Sequence, residues 1–302
     1  MPRDAVTGAF GFSGRHIAAR LLADGRELVT LTNHPDRPDP FGGRVEVRPL
    51  ALGDPDGLAR SLDGVETLYN TYWVRLEHGG VTYADAILNS RTLFQAASAA
   101  GVRRIVHISI ANGSLDSELP YYRAKALAEE ALRETGIGHA ILRPAALMGD
   151  EPLLINVIAW LLRHLPVFAV AGDGRYGIQP VHVDDLARLA VELGGRGDDI
   201  AVDAVGPERF TFTEFVRLIR RAVGSRALVV HVPEPMTYLG GRLLGIALRD
   251  VVLTRDELAG LTAGLMASRE PPLGTTRFTD WLSEAAPWLG RRYVSEIRRH
   301  FS

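Results

Sequence analysis

Residues 1–145 alternate short apolar runs with longer segments of helical periodicity, and this alternation limits the folds open to the chain. Arg104–Ile108 predicts a strand, for example, and Tyr121–Glu134 predicts a helix that Gly136 brings to an end. Strands separated by helices in this way pair in parallel and need helices on both faces of the sheet. The pattern therefore predicts an α/β fold built on a doubly wound parallel sheet.

The regular alternation of strands and helices ends after Pro144. More apolar helical segments and scattered short strands follow. We expect one domain over residues 1–150 and a smaller, mixed α/β lobe over residues 151–302, part of which returns to the sheet. With 302 residues and 46% hydrophobic content, the chain is long and apolar enough to bury a core of its own.

A glycine-rich loop, Thr7-Gly8-Ala9-Phe10-Gly11-Phe12-Ser13-Gly14, follows the first predicted strand and opens the first predicted helix. Gly8 permits a tight turn, Gly11 lets the backbone approach a pyrophosphate, and Gly14 lets the helix pack on the sheet. The helix N-terminus then offers N–H groups and a positive dipole end to the phosphates. The loop predicts a Rossmann-like dinucleotide-binding domain, with Gly8, Phe10, Gly11, Phe12 and Gly14 as cofactor contacts.

The end of the second predicted strand bears on the choice of dinucleotide. An acidic residue about 20 positions after the glycines would bind the ribose 2′-hydroxyl of NAD, and Asn33 stands there instead. Arg37 lies close enough along the chain to meet a 2′-phosphate. We therefore expect Asn33 and Arg37 to contact the cofactor and favour NADP, with NAD left open.

Tyr121 and Lys125 are four residues apart on a predicted helix, so their side chains share one face. A nearby ammonium group favours a phenolate, which makes tyrosine usable as a general acid or base. The alternative is a solvated helix start in which Lys125 pairs with Glu129. The position of the helix, directly after the fifth strand, favours a catalytic or cofactor-binding role.

The chain resembles the short-chain dehydrogenase/reductase superfamily in its extended or atypical branch, the NAD(P)-dependent epimerase/dehydratase-like proteins that include relatives of a respiratory complex I accessory subunit. The resemblance adds Asp54 near the adenine, and Asn70 and Thr71 beside the cofactor. It also adds the Leu142-Arg143-Pro144 turn, with Pro144 at the nicotinamide, and the Pro180–Asp185 segment. Lys125 would hold the nicotinamide ribose.

The resemblance also implies a catalytic hydroxyl after the fifth strand, where this sequence departs from the family. Ser109 matches the first serine of the usual pair, but Ile110 stands where the substrate-binding hydroxyl is expected. Asn112 or Ser114 could supply a donor instead. The predicted catalytic set is therefore Tyr121, Lys125 and Ser109.

The loop after the fourth predicted strand carries Tyr72, Trp73 and Arg75. An aromatic pair with an arginine is suited to clamping a substrate that has an anionic group. Packing of Trp73 beneath the loop is an equally good interpretation.

Composition excludes several classes of function. The formal net charge of −2 argues against a nucleic-acid partner, and the absence of cysteine excludes disulfides, thiol catalysis and cysteine-bound metals. No metal-ligating constellation is visible, and no targeting segment is expected. We expect a cytoplasmic protein with a small-molecule substrate, and the oligomeric state stays open.

The longest apolar stretch, Leu239–Leu253, is interrupted by Arg242, Arg249 and Asp250. We interpret it as a buried helix pair, and membrane contact through a peripheral helix is the weaker alternative.

Three functions agree with these observations. The first is an NAD(P)-dependent oxidoreductase or epimerase acting on a carbonyl or alcohol through Tyr121 and Lys125. The second is a non-catalytic NAD(P)H-binding regulatory or assembly protein with a partner surface in residues 236–268. The third is a nucleotide-sugar epimerase, for which Arg217, Arg220 and Arg221 would contact the diphosphate.

Overall fold

A computed structural model describes residues 2–295 of the chain. The strands are β1 (Arg3–Thr7), β2 (Glu27–Thr32), β3 (Val45–Pro49), β4 (Val65–Asn70), β5 (Arg104–Ile108), β6 (Gly138–Pro144), β7 (Ala146–Met148), β8 (Val167–Ala171), β9 (Gly177–Ile178), β10 (Pro180–His182), β11 (Ile200–Ala204), β12 (Phe210–Thr211) and β13 (Leu228–Val232). The helices are α1 (Phe12–Ala23), α2 (Pro55–Ser61), α3 (Tyr83–Ala99), α4 (Pro120–Arg133), α5 (Leu153–His164), α6 (Val183–Gly194), α7 (Phe212–Ala222), α8 (Glu234–Leu248), α9 (Arg255–Thr262) and α10 (Phe278–Ala285).

The chain forms two compact units. The first comprises residues 1–144 and 183–204, and the second comprises residues 145–182 and 205–302. Helix α6 and strand β11 therefore belong with the N-terminal part of the chain. The predicted division into domains at residue 150 stays a prediction. Each of the two units is built from two separate stretches of the chain.

The first unit is a seven-stranded parallel sheet in the order β11-β6-β5-β4-β1-β2-β3. This confirms the predicted Rossmann-like α/β fold. The strand order reverses between β1 and β4, which is the switch point where ligands bind in doubly wound sheets. Strand β1 is central, and its only acidic residue, Asp4, is buried and accepts two hydrogen bonds from Arg26 at 2.6 and 2.7 Å.

Apolar side chains on the sheet and its helices form the core of this unit. Leu68 and Ile105 lie in the central strands and pack with Leu93, Phe94 and Leu132 of helices α3 and α4. The core fixes the strands, so that their C-terminal ends meet at one edge of the sheet.

The second unit is a mixed α/β arrangement with three two-stranded sheets, β10-β7, β12-β9 and β13-β8. Its apolar core gathers Phe215 and Ile219 of α7, Phe278 of α10, and Ile158 and Leu162 of α5. Helix α7 carries Arg217, Arg220 and Arg221, and Arg220 donates to the Ala227 carbonyl of its own unit at 3.0 Å.

The expectation of a buried helix pair over Leu239–Leu253 was wrong. Helix α8 ends at Leu248, and Gly245 is its only buried residue. Met236, Leu239, Leu243 and Ile246 are instead exposed. Among residues 2–295, no helix combines the length and apolar character needed to cross a membrane.

Candidate functional site at the C-terminal edge of the parallel sheet

The glycine loop has the backbone geometry that a pyrophosphate-binding turn requires. Gly8 adopts a φ of 67° and its carbonyl accepts from the Gly11 N–H at 2.8 Å. A Cβ on Gly14 would lie 2.2 Å from the Gly8 carbonyl oxygen, and one on Gly11 would lie 3.2 Å from it. Both positions therefore hold glycine because the turn folds tightly onto the start of α1.

The first turn of α1 is left open to an anion. Its N-cap residue is Gly11, so no side chain caps the helix, and the first turn carries no acidic residue. The Arg15 guanidinium lies 5.9 Å from the centre of the Phe12 ring, which adds positive charge to this helix end. Helix N–H groups, the helix dipole and a cation all favour a phosphate at this position.

Hydrogen bonds join the glycine loop to the end of strand β4. The Thr7 hydroxyl donates to Asn70 Oδ1 at 3.0 Å and accepts from the Thr71 N–H at 2.7 Å. The Thr71 hydroxyl donates to the Thr7 carbonyl at 2.6 Å. The predicted residues Asn70 and Thr71 thus lie beside the loop at the switch point of the sheet.

The hydrogen-bond network of Thr7 and Asn70 continues to His107 on strand β5. Asn70 Nδ2 donates to His107 Nδ1 at 3.0 Å, and the imidazole is fully buried against the Phe94 ring. Burial, followed by the nearby Lys125, lowers the pKa of His107 to about 3. His107 is therefore a neutral core residue whose side chain joins β5 to Asn70 at the end of β4.

Lys125 is buried, with only 4% of its surface exposed. Its ammonium group donates to the Ile108 carbonyl at 3.0 Å and lies 4.3 Å from the centre of the Trp73 ring. Burial lowers the pKa of Lys125 to about 7. The alternative interpretation, a solvated lysine paired with Glu129, was wrong.

Tyr121 lies one turn before Lys125 on α4, within a cluster of aromatic rings. Its ring centre is 6.2 Å from that of Trp73 and 5.6 Å from that of Tyr83, both in edge-on contact. Trp73 therefore touches both members of the predicted pair. Its indole N–H is buried without a hydrogen-bond partner in the described chain, which leaves one buried donor unused.

The sequence did not predict the ion cluster that Glu129 forms with Arg143 and Arg133, one turn after Lys125 on α4. Glu129 accepts from Arg143 Nε at 2.9 Å and from Arg133 at 3.1 Å. Burial is the largest single influence on the pKa of Glu129 and raises it, but the hydrogen bonds from Arg143 and Ser109 and the charge of Arg143 together lower the pKa below its usual value. In the sequence, Glu129 stood out only as the residue four positions after Lys125, and Arg143 only as part of the Leu142-Arg143-Pro144 turn. Their spacing did not indicate that they pair.

The residues after β5 form the next part of the edge. The Ser109 N–H donates to the Leu142 carbonyl at 2.7 Å, and its buried hydroxyl lies beside the Glu129 carboxylate, whose pKa it helps to lower. Ile110 follows it, and Asn112 is exposed in a left-handed conformation with a φ of 59°. The Ser114 hydroxyl accepts from the Asp116 N–H at 3.2 Å, so Ser114 serves a local turn.

The remaining predicted contacts lie along the same edge of the sheet. Asn33 is exposed after β2 and Arg37 is half-buried in the following loop. Pro144 ends β6, where its carbonyl accepts from the Ala111 N–H at 2.9 Å. Asp54 caps helix α2 by accepting from the Gly57 N–H at 2.9 Å, so its carboxylate already has a structural role. Phe10 packs against Phe41 at a ring separation of 6.4 Å.

Together these residues define a class of protein. Glycines that a Cβ would disrupt and a helix start without a side-chain cap, both beside the switch point of the sheet, fit a bound dinucleotide. No cluster of metal-ligating side chains occurs within residues 2–295. The first unit is a dinucleotide-binding domain of the Rossmann type.

Comparison with known sequences gives the family. The sequence profile of a family described as NAD(P)H-binding matches residues 8–160, about half of the chain. The chain belongs to this NAD(P)H-binding family, among the extended short-chain dehydrogenase/reductase-like proteins. It is 34% identical over 227 residues to a (4-alkanoyl-5-oxo-2,5-dihydrofuran-3-yl)methyl phosphate reductase of Streptomyces griseus, covering 72% of this chain and 73% of that protein.

Two further similarities cover more of the chain. The NADH dehydrogenase [ubiquinone] 1 alpha subcomplex subunit 9 of Rattus norvegicus is 24% identical, covering 98% of this chain and 79% of that protein. The NADPH-dependent quinone oxidoreductase of Escherichia coli, solved with NADPH, aligns with a TM-score of 0.75 at 21% identity over 94% of this chain and 98% of that chain. The latter likeness establishes the shared fold.

Proposed function

We propose that the chain is an NADPH-dependent reductase of a small molecule that carries a carbonyl group. The observation that carries the proposal is the position of Lys125. It is a buried lysine on α4 whose ammonium group donates to the Ile108 carbonyl at the end of β5, and the Trp73 ring contacts both Lys125 and Tyr121. The relative at 34% identity is named a reductase, which supports reduction over epimerisation.

The bound cofactor would supply the hydride. Backbone N–H groups of the loop from Gly8 to Gly14 would hold its pyrophosphate, with Phe10 and Phe12 flanking the turn. Asn70, Thr71 and Pro144 would line the strand ends beneath it. None of these roles requires a change in the hydrogen bonds that already fix Thr7 and Asn70.

The proton would pass from the Tyr121 hydroxyl to the substrate oxygen. Positive charge on Lys125 would favour the resulting phenolate, and Lys125 would also hold the nicotinamide ribose. Ser109 and Asn112 would orient the substrate oxygen, because the Ile110 side chain has no polar group. The half-buried Trp73 would exclude water from this side of the site.

The preference for NADPH rests on the end of β2. Asn33 carries no charge that would repel a 2′-phosphate, and Arg37 follows four residues later in the loop. Asn33→Asp should weaken NADPH binding and strengthen NADH binding. A cytoplasmic location and a small-molecule substrate stay predictions from the sequence.

A titration with NADPH and NADH, followed by nicotinamide fluorescence, tests the cofactor site. We expect Gly14→Ala to weaken NADPH binding by at least about tenfold, because its Cβ would meet the Gly8 carbonyl. Gly53→Ala is the matched control, since a Cβ at Gly53 meets no atom within 4 Å. Equal binding by both variants would contradict the assignment of the loop.

A second experiment tests the chemistry, using NADPH oxidation with a panel of aldehydes and ketones. Tyr121→Phe should lower turnover by at least about 100-fold while NADPH affinity stays unchanged. Tyr122→Phe, one residue further on the same helix, should keep the activity. If Tyr121→Phe turns over as fast as the unchanged chain, Tyr121 does not transfer the proton.

A second candidate is a non-catalytic NAD(P)H-binding protein that regulates or assembles a larger complex. Ile110 at the position of a substrate-binding hydroxyl favours it, and so does similarity to a complex I subunit over 98% of this chain. It predicts tight NADPH binding without turnover of any carbonyl in the panel.

A further inference from the structure

Helix α8 exposes a continuous apolar stripe. Met236, Leu239, Leu243 and Ile246 recur at spacings of three and four residues, which place them on one side of a helix. Leu243 is 59% exposed and Ile246 is 70% exposed. Single exposed leucines are common on protein surfaces, but four large apolar residues within three turns of one helix mark an interaction surface.

The opposite side of α8 is partly buried, and two of its glycines contact the segment that follows the helix. A Cβ on Gly245 would lie 2.7 Å from the Asp250 carbonyl oxygen, and one on Gly241 would lie 3.1 Å from the Leu253 side chain. Close packing through these glycines holds the helix against residues 250–253. The apolar stripe therefore faces away from the contact that fixes the helix.

Arginines border the stripe. Arg242 lies three residues after Leu239 and four before Ile246, and Arg249 follows Ile246 by three. Both are exposed, and neither forms an ion pair with any carboxylate in the described chain. The only acidic residue of α8 is Glu234, in its first turn. A chain with a net charge of −2 therefore presents a locally positive apolar surface.

Arg249 has a second unusual property. It is the C-cap residue of α8 and adopts a left-handed conformation with a φ of 53°. Helix ends of this geometry usually carry glycine or asparagine, because a side chain is disfavoured there. An arginine held at such a position indicates that its charged side chain contributes something that glycine would not.

We propose that helix α8 binds the surface of an anionic lipid bilayer. Leu239, Leu243 and Ile246 enter the boundary between headgroups and acyl chains, and Arg242 and Arg249 contact lipid phosphates. A bilayer surface offers apolar groups below and negative charge above, which matches a stripe bordered by cations. A second copy is a poorer match, because a two-fold contact on this face would bring identical arginines together.

Cosedimentation of the full chain with vesicles tests this proposal. The two probes are vesicles of phosphatidylcholine alone and vesicles of equal parts phosphatidylcholine and phosphatidylglycerol. We expect binding to the anionic vesicles that falls as salt is added. The double variant Leu239→Ser, Leu243→Ser should reduce the bound fraction by at least about tenfold, since the apolar contact provides much of the affinity. Arg242→Glu should reduce it by about fivefold or more.

Leu88→Ser is the matched control, because Leu88 is 62% exposed on α3, in the other unit. It should bind vesicles as well as the unchanged chain. The proposal is overturned if the unchanged chain stays in the supernatant with both vesicles, or if Leu88→Ser loses as much binding as the double variant. Sedimentation velocity without lipid separates the alternative: an oligomer that the double variant dissociates, with no vesicle binding, would make the face an interface between copies.

Discussion

Helices α4 and α8 depart from the usual distribution of residues in opposite directions. Helix α4 buries Lys125 and Glu129, two charged side chains, at the edge of the parallel sheet. Helix α8 buries only Gly245 and exposes a run of leucine, isoleucine and methionine. Buried charges and exposed apolar stripes are the two arrangements that folding alone does not favour.

The two helices are suited to different kinds of site. In α4 the ionic groups are held in place by neighbours, since Glu129 binds Arg143 and Arg133, and Lys125 donates to the Ile108 carbonyl. In α8 the four large apolar side chains are exposed, and none of them belongs to the buried core of the described residues. The first arrangement is suited to chemistry in an enclosed site, and the second is suited to contact with another surface.

The largest effect is expected from breaking the ion cluster of α4. Glu129→Gln should lower the free energy of unfolding by about 3 kcal/mol, because it leaves Arg143 without its buried partner. Glu130→Gln is the control on the same helix, since the Glu130 side chain is 44% exposed and that of Glu129 is 2% exposed. We expect the control to change stability by less than about 0.5 kcal/mol in urea unfolding. Similar losses from both variants would mean that Glu129 is not buried.

The pH dependence of stability should report the burial of Lys125. The unfolded chain holds the lysine proton up to pH 10.5, while the pKa in the folded chain is lowered to about 7. Between these values the unfolded chain binds more protons, so stability rises with pH. From pH 7 to pH 9 the unchanged chain should gain about 2 kcal/mol relative to Lys125→Met in urea unfolding. Parallel curves for the two proteins would show that the lysine is solvated.

His107 should produce the corresponding effect on the acid side. Its pKa is lowered to about 3 in the folded chain, against 6.5 when unfolded. As the pH falls from 7 to 5, His107 becomes protonated in the unfolded chain but stays neutral in the folded chain. The free energy of unfolding therefore falls. The loss should be about 2 kcal/mol greater for the unchanged chain than for His107→Gln, which does not titrate. Proton NMR of the imidazole provides an independent check, and titration near pH 6.5 would contradict the buried, neutral assignment.

The sequence predicted the first unit well because its signals are local. The apolar run of Arg104–Ile108 and the glycine spacing from Gly8 to Gly14 each act within one element, and both have the predicted structure. Alternation of such elements was enough to place the strand ends at one edge. The profile match over residues 8–160 falls largely in this part of the chain.

What the sequence could not predict depends on contacts between distant residues. The pairing of Glu129 with Arg143 joins a helix to a strand 14 residues away, and no spacing rule encodes it. The short strands β7, β9, β10 and β12 have two or three residues each, too few for a pattern to appear. The exposure of α8 was missed for the same reason, because apolar periodicity gives the face of a helix but not what covers it.

The smallest effect is expected on α8, and its smallness is the informative result. Leu243→Ala should change the free energy of unfolding by less than about 0.5 kcal/mol, since Leu243 is largely exposed in the folded chain. Leu132→Ala on α4 removes a fully buried side chain and should cost about 3 kcal/mol. A loss above about 1.5 kcal/mol for Leu243→Ala would mean that folding itself covers the stripe, whether by the rest of the chain or by a second copy. A near-neutral result combined with lost vesicle binding in the serine variants would show that these leucines act on a partner rather than on the fold.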